Sequence, residues 1–370
     1  MQESRLLDLF CELVRIESPS FHEAPMAARC ADELRGLGFE VSFDDSAERV
    51  GSDTGNLVAR LPGTRTGHVV FSAHMDTVQP CAGIEPVVVD GVVRSAGDTI
   101  LSADDKAGVA AIFEGVRSAV ESGSPRPDVT VLLTTCEEQH LLGSSALADG
   151  LLPAGAPCYV LDADGAPGTI ITGAPCHWSL NATFSGRAAH AGVCPEEGVS
   201  AIAMAAAAVS SMPLGRLDEA TTANVGFIEG GGATNVVPDT CALAGECRSL
   251  YAERAEAQKA AMTEALEAAA ARFGGAVSIE WTKSYDAVLF DEEDELVQAI
   301  VRASRAAGLA PRFHRSGGGS DANVLAARGV RPVTLGVGMA AFHSVDEHIA
   351  VDDLEGAARL VEALIAEGAQ

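Results

Sequence analysis

Positive charge is scarce in this sequence. Its 25 lysines and arginines stand against 52 aspartates and glutamates, a formal net charge of -27, and lysine occurs only at Lys106, Lys259 and Lys283. Phosphate backbones and anionic membranes both require positive charge. Nucleic acid and membrane surfaces are therefore not expected partners, whereas metal cations and small molecules are. The nine cysteines form no C-x-x-C pair, and their odd number is spread along the chain. That argues against a disulfide framework and for free buried thiols in a reducing compartment. No apolar run approaches the ~20 residues of a transmembrane span. The opening MQESRLLDLFCELVRIESPS carries charge throughout, unlike a secretory signal. The cytoplasm is the expected location. Internal repeats are also lacking.

What is present is apolar sequence in quantity, 47% of 370 residues, enough for one large domain or two ordinary ones. Helical patterns cover residues 2–17 and 23–37. Buried strands are predicted at 68–78, 129–138, 158–165 and 331–338, with helices at 106–122 and about 352–367. Strands alternating with helices predict an α/β fold, a mostly parallel mixed sheet with helices on both faces. The middle of the chain has the order β-α-β-β-α-β, that of a ferredoxin-like α+β sandwich. It is predicted as an insert at 177–285, which leaves a discontinuous domain of 1–176 and 286–370.

In open α/β sheets, ligands bind beyond the carboxyl ends of the strands. Here those ends carry His74-Met75-Asp76, Glu137-Glu138 and Asp162-Ala163-Asp164, and the last strand runs on to His343. Asp104 and Asp105 open the helix between the first two. Like charges gathered this closely repel unless cations offset them. Imidazole and carboxylate without thiolate suit zinc, cobalt or manganese in a hydrolytic site. The donors are too many for one open catalytic zinc, so two divalent ions sharing a carboxylate are expected.

The segments HMDTV, SADDKAG, TCEEQHLLGS, GRAAHAG, GGATNVVPD, SGGGSDAN and FHSVDEH occur in this order. With them the chain resembles the peptidase T branch of the co-catalytic zinc hydrolases, relatives of carboxypeptidase G, aminoacylase and succinyl-diaminopimelate desuccinylase. The resemblance runs from about residue 6 to 366. It implies a zinc-exopeptidase-like domain with an inserted lid and dimerisation domain, two zinc ions and a homodimer. It implies His74 and Asp162 on one metal, Glu138 and His343 on the other, and Asp104 across both. Asp164 competes with Asp162, because spacing after this strand varies. Asp76 would orient His74, and Glu137 would be the general base. His190 would stabilise the oxyanion, commonly from the second subunit. Arg248 and Asn235 would hold the substrate's carboxylate or carbonyl, and the glycines around Gly318 would let backbone approach it. Lys106 is expected to neutralise the acids.

The implied reaction is hydrolysis of an amide, most specifically the N-terminal bond of short peptides. Removal of acyl groups from N-acyl amino acids, C-terminal trimming, and metal binding without catalysis are the alternatives. The chain departs from the family pattern E-E-x-G-x-x-G at His140, which replaces the first glycine. A positive φ there would strain the residue. The ring could border the substrate cleft or face outward.

Overall fold

A computed structural model describes residues 3–368. The chain divides into two compact units. The first takes the chain up to Thr172, Phe290–Arg315 and the chain from Ser320; the second takes Gly173–Leu289 and Ser316–Gly319.

In the first unit the strands lie in the order Glu40–Phe43, Leu57–Leu61, Asp128–Thr134, His68–His74, Pro157–Ala163, Arg331–Gly336 and Thr169–Ala174. The central strands, from Asp128–Thr134 through Arg331–Gly336, run parallel, and the flanking pairings are antiparallel. The parallel strands are near-continuous apolar runs because both faces are covered. Val69, Phe71 and Ala73 enter one core together with Leu13, Phe113 and Val361 from the helices Glu3–Val14, Ala103–Glu121 and Val351–Glu367. Val70, between them, enters the opposite core with Leu132, Val160 and Leu325, as the two-residue repeat of a strand requires. The chain goes from His68–His74 to one neighbour, Asp128–Thr134, and then to the other, Pro157–Ala163. Their carboxyl ends therefore flank a switch point, where such sheets place ligands.

A smaller antiparallel sheet orders Met339–Ala340, His348–Ala350, Val92–Ser95 and Pro86–Val89. Its hairpin pairs Met339 with Ile349 and Ala340 with His348, which makes residues 341–347 a closed loop. The second unit orders Gly215–Arg216, Thr221–Gly230, Thr240–Ser249, Cys176–Ser185 and Ala276–Tyr285, all antiparallel. Helices Ala201–Ser211 and Ala252–Phe273 cover one face through Met204, Met262 and Leu266. Apart from the two-residue strand Gly215–Arg216, these elements follow β-α-β-β-α-β along the chain.

Several predicted elements end early, among them the strand predicted at 68–78, which stops at His74. The N-terminal helix is Glu3–Val14, and Gln2, where its pattern starts, lies outside the described residues. The strand predicted to reach residue 138 stops at Thr134, because Cys136 takes a positive φ of 50°. No described helix is long and apolar enough to cross a membrane.

Helices Ala103–Glu121 and Val351–Glu367 approach closely at Gly115. A Cβ there would lie 2.6 Å from Val361 Cβ and 2.7 Å from the Ala358 carbonyl. In an open helix Gly→Ala stabilises by roughly 0.5–1 kcal/mol. Here the overpacking, typically about 1–3 kcal/mol, should reverse the sign. Gly115→Ala is thus expected to lower the denaturant midpoint at unchanged slope; a raised midpoint would contradict this packing.

Candidate active site

The strand His68–His74 delivers His74 into a buried position. Its Nε2 lies 3.1 Å from Asp104 Oδ1 and 3.7 Å from Asp162 Oδ1. On the other side of the ring, Nδ1 is 2.9 Å from the backbone carbonyl of Asp76 and 3.5 Å from its carboxylate. The nearer carbonyl is the stronger orienting contact, and the carboxylate has other partners. Its Oδ1 accepts the Glu137 N–H (2.8 Å), and its Oδ2 accepts the Glu138 N–H (3.2 Å) and the Ser20 hydroxyl (2.7 Å).

Glu137 and Glu138 thus sit in a loop beyond the strand end. The preceding N–H, of Cys136, is donated to Glu23 Oε1 at 2.8 Å, and Glu23 is buried. Consecutive N–H groups are held by buried acids, so the two glutamates need not alternate across a strand. Glu138 Oε1 lies 2.9 Å from His343 Nε2, and the same nitrogen is 3.1 Å from Asp104 Oδ2. Asp104 therefore presents one oxygen to each histidine.

The segment around Asp104 is not regular helix. Asp104 and Asp105 depart from helical dihedrals, and the peptide between them is cis. Asp105 is buried and bonded to backbone, accepting the His74 and Gly108 N–H groups at 3.2 Å. Gly108 is required: a Cβ there would lie 2.3 Å from Asp105 Oδ1 and 2.2 Å from the Leu161 carbonyl. Asp162 faces the cluster, whereas Asp164 is exposed. Lys106 does not play the part expected of it. Its buried ammonium donates to the Ile16 carbonyl at 2.6 Å, away from the carboxylates, and burial pulls it down to about 8.

Sequence reasoning missed Glu23, Asp321 and Glu347, all buried, and gave the buried Asp105 no task of its own. Glu347 accepts the N–H groups of Leu101, Ser102 and Asp104. Asp321 accepts the Thr134 hydroxyl, and its second oxygen has no partner among the described residues. Asp321 and Glu347 lie inside SGGGSDAN and FHSVDEH, segments that carry the resemblance. Glu23 lies outside those segments and had no signal of its own.

Burial, and then the charge of Asp162, raises the Glu137 carboxyl well above the usual carboxylate range. The same two causes raise Asp105. Burial also raises Asp162, with Asp104 adding repulsion. Asp104 goes the other way: burial disfavours its charge, but hydrogen bonds to His343 and His74 outweigh that and hold it low. Bonds to Asp104 and then Glu138 raise His343 to about 10. Burial opposes charge on His74, and its bonds to Asp104 and Asp76 still carry it well above the usual histidine range.

This donor set fits divalent metal. Adjacent donors around a tetrahedral ion with ~2.0–2.1 Å bonds are about 3.3 Å apart, within the 2.9–3.7 Å separations seen here. His74, Asp104 and Glu138 form one group whose ligand atoms all lie within 4.8 Å of one another; His74, Asp105 and Asp162 form another.

The sequence profile of Peptidase family M20/M25/M40 matches residues 70–367. The chain belongs to this family. It is accordingly a hydrolase, an M20 metallopeptidase. The uncharacterised protein YqjE of Bacillus subtilis is 41% identical over the whole of both chains. Aminopeptidase PepT of Bacillus cereus is 42% identical with a TM-score of 0.94, covering 100% of each chain. A tripeptidase of Staphylococcus aureus is 36% identical with a TM-score of 0.95, again over 100% of each. The expected resemblance to the peptidase T branch of the M20 enzymes is borne out.

The remaining expected site residues lie in the second unit. His190 is exposed; it pairs with Val236 in an isolated bridge, and the Ala191 N–H donates to the Asn235 carbonyl at 2.9 Å. His190 and Asn235 therefore occupy neighbouring loops. Arg248 is turned onto Glu246 through Nε (3.1 Å) and Nη2 (3.0 Å), and Glu246 also lies 2.8 Å from His177 Nε2. Gly318 has neither a positive φ nor crowding. It is Gly319 that packs tightly, since a Cβ there would lie 2.4 Å from the Tyr285 ring.

His140, at the glycine position of the M20 pattern, has φ 62° and an exposed ring; Leu141 follows with φ 61°. Left-handed backbone costs a non-glycine residue roughly 1–2 kcal/mol, partly offset by the entropy glycine loses on folding. His140→Gly is expected to stabilise by about 0.5–1 kcal/mol in denaturant unfolding, with kcat/KM on a tripeptide little changed. A large loss of kcat/KM would instead place the imidazole in substrate recognition.

Proposed function

We propose that this M20 hydrolase is an aminopeptidase of the peptidase T type that removes the N-terminal residue of short peptides, tripeptides among them. The observation that carries the reading is the pair of oxygens Asp104 presents to His74 and His343, with Glu137 beside them. Full-length similarity to an aminopeptidase and a tripeptidase favours peptides over N-acyl amino acids as substrates.

His74 and Asp162 would hold one divalent ion, Glu138 and His343 the other, and Asp104 both. Zinc suits imidazole and carboxylate donors best, with cobalt and manganese as alternatives. When bound, the ions supply Lewis acidity toward the scissile carbonyl and the attacking water. Glu137 takes the proton of that water as general base. It then returns the proton to the leaving amine. Asp76 fixes this base through its N–H and orients His74.

His190 is assigned to the oxyanion, supplied by the second subunit of a homodimer. Arg248 and Asn235 are assigned to the substrate's carboxylate or carbonyl, with Gly318 in close backbone approach to it. In domain terms, 1–176 with 286–370 is the catalytic part and 177–285 the inserted dimerisation part. An edge left unpaired among the described residues supports the dimer: there Gly215–Arg216 pairs only with Ala223 and Thr222, and beyond them Phe227 and Ile228 are 50% and 51% exposed. The net charge of -27 speaks against nucleic acid and anionic membranes as partners. Free cysteines without disulfides suit the cytoplasm.

Glu137→Ala is expected to keep two metal ions per chain while kcat against di- and tripeptides falls by about 10²–10⁴-fold. Asp104→Ala should lose metal, as read by elemental analysis. Full turnover in Glu137→Ala would sink the mechanism. For the dimer, Phe227→Glu with Ile228→Glu is expected to halve the mass measured by light scattering. An active monomer would remove the cross-subunit role of His190.

A further inference from the structure

The helix Ala103–Glu121 carries Asp104 and Asp105 in its first turn, yet its N-terminus has no cap of its own. Ser102, at the N-cap position, makes no side-chain cap bond, and its buried hydroxyl has no partner among the described residues. The cap comes from Glu347. One carboxylate oxygen accepts the Leu101 N–H at 2.8 Å and the Ser102 N–H at 2.7 Å. The other accepts the Asp104 N–H at 2.9 Å from 243 residues away. The positive φ of Ser102, 65°, turns these N–H groups toward one point, and only 1% of Glu347 is exposed.

Glu347 also closes the loop that carries His343, between strands Met339–Ala340 and His348–Ala350. One carboxylate thus ties the backbone of Asp104 to the segment bearing His343, and these two side chains approach to 3.1 Å.

We infer that Glu347 is a positioning residue, which fixes the separation of Asp104 and His343 and so sets the affinity of the ion they share. This rests on the two-metal reading given above. Outer groups that hold ligands in place typically change metal affinity or activity by about 10–100-fold when altered.

The glutamine variant is informative because its amide has one acceptor oxygen. If that oxygen keeps Leu101 and Ser102, the NH₂ faces the Asp104 N–H, and the lost bond falls on the bridging ligand. The test titrates cobalt(II) into metal-stripped wild type and Glu347→Gln, recording the visible spectrum and tripeptide kinetics at saturating metal. The expected result is one cobalt ion bound about 10–100-fold more weakly, an altered spectrum, and kcat reduced with KM within about twofold. Equal affinity for both ions and an unchanged spectrum would overturn the inference, even if the variant melts earlier. If Glu347→Gln does not fold, Glu347→Asp is read by the same titration, its shorter side chain failing to reach all three N–H groups. Wild type that binds two cobalt ions but cleaves no tripeptide would defeat the peptidase reading, and the affinity comparison would still decide this one.

Discussion

The site depends on a conflict of charge. Asp104, Asp105, Glu137, Glu138 and Asp162 converge at the ends of parallel strands, mostly out of water, where like charges repel and burial disfavours ionisation. The nearest lysine, Lys106, turns to a backbone carbonyl. Among the described residues only His74 and His343 face the carboxylates directly, and hydrogen bonds to those carboxylates raise the proton affinity of both. A site built this way binds cations because its own side chains do not neutralise it.

Keeping that conflict in place requires rigid backbone. Glu23 holds the N–H of Cys136, Asp76 those of Glu137 and Glu138, Asp105 that of His74, and Glu347 those of Leu101, Ser102 and Asp104. A buried carboxylate accepting N–H bonds is satisfied without a cation, so Glu23, Asp76 and Glu347 anchor loops, while Asp105 anchors the His74 N–H and also stands in a group that could hold a metal. The backbone around them is strained. Among the described non-glycine residues with positive φ, all but Asp90 lie in segments bordering the cluster: Phe21, Ser102, Cys136, His140, Leu141, Ala341 and His343. Strain of this kind persists only where the surroundings over-determine it, and the anchoring carboxylates are those surroundings.

The sheet, its flanking helices and the strand-end residues were legible because each leaves a local trace. A buried parallel strand is a short apolar run, and a histidine or acid just past its end stands out. Two of the anchoring acids, Glu23 and Glu347, leave none. Glu347 and Glu23 look like any surface glutamate, since their burial comes from segments far away in sequence. Direction was equally hidden. Lys106 adjoins Asp105 in sequence, but the backbone dihedrals at Asp104 and Asp105 send its side chain elsewhere. The strand expected to reach Glu138 stops at Thr134 for a similar reason. The turn at Cys136 is fixed by a bond to Glu23, 113 residues earlier.

That turn also separates the two glutamates. Had the strand continued, Glu137 and Glu138 would point to opposite faces of the sheet, and one would be lost to the site. With Cys136 in the left-handed region and Asp76 accepting both following N–H groups, the loop can show both carboxylates to the same space. Glu138 meets His343 directly. Glu137 instead experiences burial and the charge of Asp162. Adjacent, chemically identical side chains thus meet different surroundings. One becomes suited to a metal and the other to a proton, and the residue that divides them is Asp76, which touches both only through the backbone.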